Sequence, residues 1–177
     1  VFTIEDLFHY SEDPTITRFV PREHPSHPGL APAVWAIAHM QAPMYYLPRD
    51  CPRIAFYQKP DSTEEDIQRF LGLSSASMVI AIENRWYPRL LDTRLYQYTF
   101  SSDTFYCLDK PAGYYLSHEA VEPIDVMPMG DLLAKLSQED VELRMTPSLL
   151  PLRDALLTSS LHFSMIRMRN AQVEDVR

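Results

Sequence analysis

Histidine is the side chain most easily tuned to move a proton near neutral pH, so the six histidines of this chain are the first place to look for chemistry. His9 stands in Leu7-Phe8-His9-Tyr10-Ser11, a short apolar run that reads as a first strand and points the imidazole away from Phe8 and Tyr10. A ring so placed either satisfies its nitrogens on nearby backbone or serves a ligand. His24 and His27 share a proline-rich stretch with Glu23; a metal would need a further ligand at suitable spacing, none is nearby, and no metal is expected. No Gly-x-Ser-x-Gly elbow surrounds a serine, and neither Cys51 nor Cys107 has nucleophile or metal-ligand spacing, so serine or cysteine hydrolysis is unsupported. Trp35, Trp86, Tyr45, Tyr46, Tyr114 and Tyr115 could stack on a base, although aromatic residues in short strands usually belong to the core. Arg167 and Arg169 form a small basic cluster, expected to be solvated or paired with carboxylates.

The rest of the composition narrows the partners. A net charge of −8 repels a phosphate backbone, which argues against nucleic acid. Charges and prolines interrupt every apolar run well short of the ~20 residues a spanning helix needs, so no membrane partner is expected. With 46% hydrophobic and 23% charged residues the sequence has an ordinary globular balance, and one globular domain over residues 1–177 is the expectation. Two widely separated cysteines and no charged-then-apolar leader suggest reduced thiols and a cytoplasmic location.

The elements that would position these residues are short. Fifteen prolines against four glycines punctuate the chain, and Pro21, Pro25, Pro28 and Pro32 mark its longest loop. Helices are expected after Asp61-Ser62-Thr63-Glu64-Glu65, where Ser62 and Glu65 have capping-box spacing and Gly72 closes the run, after Asp131, and through Leu149, Leu152, Leu156, Leu157 and Leu161. Strands are expected at Leu7–Tyr10, Val34–Ile37, Arg53–Tyr57, Met78–Glu83, Tyr96–Phe100, Thr104–Leu108, Tyr114–Ser117 and Val121–Met127. The strand-heavy middle third, without strict alternation of helix and strand, predicts an α+β fold with a largely antiparallel sheet flanked by short helices. Dinucleotide and phosphate-loop glycine motifs are absent.

The segments Leu7-Phe8-His9-Tyr10-Ser11-Glu12-Asp13-Pro14, Pro32-Ala33-Val34-Trp35-Ala36-Ile37, Leu47-Pro48-Arg49-Asp50-Cys51-Pro52-Arg53, Ala112-Gly113-Tyr114-Tyr115 and Ile166-Arg167-Met168-Arg169-Asn170-Ala171 resemble an uncharacterised bacterial family classed as a domain of unknown function. A looser resemblance links Leu7–Ser11, Val34–Ile37 running into Met40–Tyr46, and Tyr114–Pro123 to ADP-ribosyltransferase-like folds. That resemblance implies NAD as cofactor, His9 and Ser11 holding its ribose and amide, Tyr45 or Tyr46 stacking on nicotinamide, and Glu119 or Glu122 as the catalytic acid. Cleavage of the nicotinamide–ribose bond builds positive charge on the sugar, which such a carboxylate would stabilise. The leading expectation is therefore an ADP-ribosyltransferase-like domain binding NAD or a related nucleotide, with ADP-ribosyl transfer or NAD glycohydrolysis as its reaction. The alternative is a non-enzymatic interaction or small-molecule-binding module.

Overall fold

In the computed structural model, which describes residues 6–173, the elements follow in the order β1 (Leu7–Ser11), β2 (Val34–Ile37), β3 (Arg53–Tyr57), α1 (Glu64–Asp66), β4 (Met78–Glu83), α2 (Tyr87–Asp92), β5 (Tyr96–Phe100), β6 (Tyr106–Asp109), β7 (Tyr114–Ser117), β8 (Asp125–Pro128), α3 (Leu132–Gln138), β9 (Val141–Thr146), α4 (Leu150–Leu156) and β10 (His162–Ile166). The fold class is α+β, with the strands divided between two sheets. The chain forms two compact units, one built from residues up to Tyr46 together with Arg94–Gly130, the other from Leu47–Thr93 and the segment after Gly130.

The first unit holds a six-stranded sheet in the order β6-β7-β2-β1-β5-β8, with every pairing antiparallel. Residues directly opposite one another in such pairs share a face. The registers Leu7↔Phe100, His9↔Tyr98 and Ala36↔Tyr115 gather Leu7, Val34, Ala36, Tyr98 and Phe100 on one face, where they pack with Val121, Phe19 and Ile16. The other face carries Phe8, Tyr10, Trp35, Ile37, Tyr114 and Leu116. Gly113 (φ 74°), just ahead of β7, has a conformation that favours glycine, and a Cβ there would lie 2.5 Å from the Gln41 side chain. Its carbonyl accepts from the Ala38 amide at 2.9 Å, fastening the 3₁₀ segment His39–Tyr45 to the sheet.

The second unit is a four-stranded mixed sheet ordered β10-β3-β4-β9, in which only β4 and β9 run parallel. All six residues of β4 are buried, as its nearly continuous apolar sequence requires of a strand covered on both faces. On one face Ile54, Phe56, Val79 and Ala81 pack against Phe70, Leu149, Leu156 and Leu161. The helical stretch expected after Asp61 forms as α1 followed by a π-type turn through Leu71, ending at Gly72 with φ 56°. Its cap is Thr63, whose Oγ1 accepts from the Asp66 amide, instead of Ser62. Ser62 is drawn elsewhere: its hydroxyl donates to the Ser160 carbonyl at 3.0 Å. The helix expected through Leu161 stops with α4, and Leu161 is buried just ahead of β10.

Candidate functional site

His9 lies on the apolar face of β1. Its Nδ1 is 3.2 Å from the Trp35 carbonyl and its ring meets Phe19 edge-on, with centroids 4.9 Å apart. Ser11, also on that face and buried, accepts the Asp13 amide at 3.1 Å and so begins the turn that leaves β1. Asp13 continues the turn by accepting the Thr15 hydroxyl and amide, which together hold its carboxyl below the ordinary value of 3.8. Tyr98, fully buried opposite His9, donates to the Asp13 carbonyl and accepts from the Ile16 amide. The backbone alternative for His9 thus has a physical counterpart: a half-buried ring bonded to a neighbouring strand and packed beneath Phe19.

Tyr45 and Tyr46 belong with the other face. The Tyr45 hydroxyl donates to that of Tyr114 at 3.3 Å, and the buried Tyr46 ring meets Tyr10 at 5.2 Å. Both contacts are to residues that alternate with the His9 face, so the sheet separates these tyrosines from His9 and Ser11. Glu119 and Glu122 are exposed and flank Val121, which bridges to Phe19. The Glu119 backbone is tied to the buried Ser117 hydroxyl, which it both donates to and accepts from. Through Phe19 this acidic turn neighbours the His9 side of the sheet, away from Tyr45 and Tyr46.

What the structure does bring together is a group of aromatic and imidazole rings around Trp35. His24 lies 4.6 Å and His27 5.1 Å from the indole, both tilted across it, while Tyr114 meets it edge-on at 5.6 Å. The two imidazoles share a 3.3 Å contact between their Nδ1 atoms, and His24 Nδ1 also receives the Ser26 amide. The proline-rich loop is held by paired Arg22–Ala33 backbone bonds of 3.1 and 3.0 Å, and the Pro32 carbonyl contacts His118 Nδ1 at 2.9 Å. Beside Trp35, Tyr10 donates to Gln97 at 3.0 Å. Trp35, Tyr10, Tyr45, Tyr114 and His24 are all half-buried, so this surface combines ring faces with hydroxyl and imidazole groups. No group of three or more metal-ligating side chains occurs among the described residues.

The second unit holds a polar constellation that residue types alone did not single out. Glu83 ends β4 fully buried, accepting from Arg85 Nε and Nη2 at 3.1 and 3.0 Å and from the Gln172 amide at 2.8 Å. Arg53, opposite Ile82 at the start of β3 and equally buried, donates to the carbonyls of Cys51 and Pro48. The available signal was a glutamate closing an otherwise apolar strand, with an arginine two residues on, in Glu83-Asn84-Arg85. Burial pushes the Cys51 thiol up to about 11, with Arg53 opposing the shift.

No helix among the described residues is long and apolar enough to cross a membrane. No curated protein and no solved structure matches the chain. A family of unknown function matches residues 8–171 and hence nearly every element described above. The chain belongs to that family, DUF6886.

Proposed function

We propose that the six-stranded unit is a small-molecule-binding module that takes a planar ligand of the nucleotide class on the face carrying Trp35, Tyr114, Tyr45 and His24. The observation that carries this reading is the convergence of His24, His27 and Tyr114 on the Trp35 indole, with centroids between 4.6 and 5.6 Å. Aromatic platforms hold bases at about 1–3 kcal/mol per stacked ring, and the adjacent hydroxyl and imidazole groups supply orienting hydrogen bonds. NAD and AMP are the first ligands to test. A ligand bound only by the folded chain raises its thermal stability. The reading expects a saturable rise with NAD or AMP that is lost in Trp35→Leu; no rise with either would refute it.

A second reading keeps ADP-ribosyl chemistry. It would use His9 and Ser11 to hold NAD and Glu119 or Glu122 as the acid, and it draws support from the contact of His9 with Phe19 and of Phe19 with Val121. Nicotinamide release from NAD, abolished by Glu119→Gln or Glu122→Gln, is the result it needs. Binding of NAD without nicotinamide release selects the module.

A further inference from the structure

We propose that β10, an outer strand of the four-stranded sheet, is an interaction surface for a second copy of this chain, the two β10 strands pairing antiparallel into one continuous sheet. The inference concerns the second unit and does not depend on the aromatic face of the first.

Among the described residues, β10 is the one sheet edge left unguarded. An outer strand presents a row of backbone donors and acceptors, and proteins blunt such edges with charge, proline or a bulge. The other outer strands carry these devices. β6 ends on Asp109 and shifts register between Cys107 and Asp109, β8 holds Asp125 and Pro128, and β9 holds Glu142 and Arg144. In contrast, His162-Phe163-Ser164-Met165-Ile166 contains no Asp, Glu, Lys, Arg or Pro, and it pairs with β3 without a register shift. All five residues are half-buried. Among the described residues, no backbone bond joins Phe163, Ser164, Met165 or Ile166 to any segment other than β3.

The strand complements itself. In the antiparallel register that aligns two copies fully, Ser164 meets Ser164 on a two-fold axis and Phe163 of one copy faces Met165 of the other. Phe163 and Met165 pack on the core of their own sheet, so pairing extends that apolar layer across the seam. A chain of net charge −8 thereby meets its copy along a strand that carries none of that charge.

The two ends of the strand are flanked by opposite charge. The acidic turn Glu64–Asp66 is fastened beside the start of β10: Asp66 accepts the Ser160 amide and hydroxyl at 2.7 and 2.6 Å, and Ser160 Oγ accepts the Thr63 amide at 2.8 Å. Exposed Arg169 stands in the short turn that follows the other end. Antiparallel pairing sets the basic end of each copy beside the acidic end of the other, whereas parallel pairing would set like charges together.

The test is sedimentation equilibrium of the full chain across concentration, with amide hydrogen exchange read at β10. A concentration-dependent dimer is expected, with slower exchange at Phe163, Ser164, Met165 and Ile166 in the dimer. Ser164→Lys puts two ammonium groups opposite each other on the axis and should weaken association about fivefold, with an unchanged circular dichroism spectrum. Arg169→Glu should weaken it several-fold, and adding Glu65→Lys should restore it. Both of those residues are exposed, so the charge swap judges the proposal even if Ser164→Lys unfolds the protein. A dimer indifferent to either set of substitutions, or one whose protection lies away from β10, overturns it. A chain that stays monomeric to about 1 mM also overturns it, and leaves the edge for a strand of another protein.

Discussion

Replacing Arg85 by alanine should destabilise the protein more than replacing Glu83, although Arg85 is by far the more exposed of the two. The asymmetry follows from where each partner is left. In Glu83→Ala the orphaned guanidinium is 48% exposed and can be taken up by water, and Gln172 loses an acceptor for its amide. The expected cost is about 2–3 kcal/mol, from lost charge-assisted hydrogen bonds and a small cavity. In Arg85→Ala the orphan is a carboxylate with no exposure, left with the Gln172 amide as its remaining donor among the contacts described above. Stranding a buried charge costs about 3–5 kcal/mol. Urea unfolding followed by circular dichroism measures both values, and the double variant completes the cycle. The pair should couple by at least about 1 kcal/mol, with the double variant less destabilised than the sum of the singles. Equal costs, a larger cost for Glu83→Ala, or simple additivity would refute the claim that this carboxylate exists to hold this arginine.

Two further outcomes follow from the titrating groups. Cys51, buried and pushed up to about 11, should resist thiol-modifying reagents at about pH 8 until the protein unfolds, while exposed Cys107 reacts at once; two fast thiols would contradict the burial. Asp66 is held below its ordinary 3.8, first by the Ser160 hydroxyl and then by the Ser160 amide, at 2.6 and 2.7 Å. A depressed carboxylate contributes stability that is present above its unfolded value and lost as pH falls through the folded one. Urea midpoints measured from about pH 5 down to pH 3 should therefore fall less steeply in Asp66→Asn than in the unsubstituted protein, and parallel curves would argue against the contribution.

Much of the architecture was legible because it rests on local pattern. Val34–Ile37, Arg53–Tyr57, Met78–Glu83, Tyr96–Phe100 and Tyr114–Ser117 form with the expected bounds, since β-branched and aromatic runs between prolines and polar turns have few other solutions. The strands β9 and β10 were hidden. β9 does alternate, Val141, Leu143 and Met145 against Glu142, Arg144 and Thr146, but over only six residues set between the leucine-bearing helices α3 and α4. The residues of β10 follow a leucine series that reads as continuing helix. Pro88, one of the fifteen prolines expected to punctuate the chain, instead occupies the first turn of α2, where a missing amide costs nothing. The move of the α1 cap from Ser62 to Thr63 has a long-range cause, because Ser160 captures Ser62 from 98 residues away.

The candidate sites were legible as residue types but not as arrangements. Alternation correctly turned His9 away from Phe8 and Tyr10, and the same alternation, carried through the registers of β1, β2 and β7, separates His9 from Tyr45 and Tyr46. Only the fold shows that the proline-rich loop returns His24 and His27 to Trp35. Glu83 and Arg85 escaped notice because their significance lies in burial, which a single acid and a single base two residues apart do not announce.

Trp35 fluorescence tests the aromatic-face reading most directly. The only other tryptophan, Trp86, has a buried indole N–H with no hydrogen-bond partner among the described residues, so Trp86→Phe removes it at little cost and leaves Trp35 as sole reporter. Titration of that variant with NAD and AMP should give a saturable change in Trp35 emission, and adding Tyr114→Leu should weaken the affinity about tenfold, the value of one lost aromatic contact of ~1–3 kcal/mol. Emission that stays constant with both ligands, or an affinity indifferent to Tyr114, would contradict a ligand site on this face of the sheet.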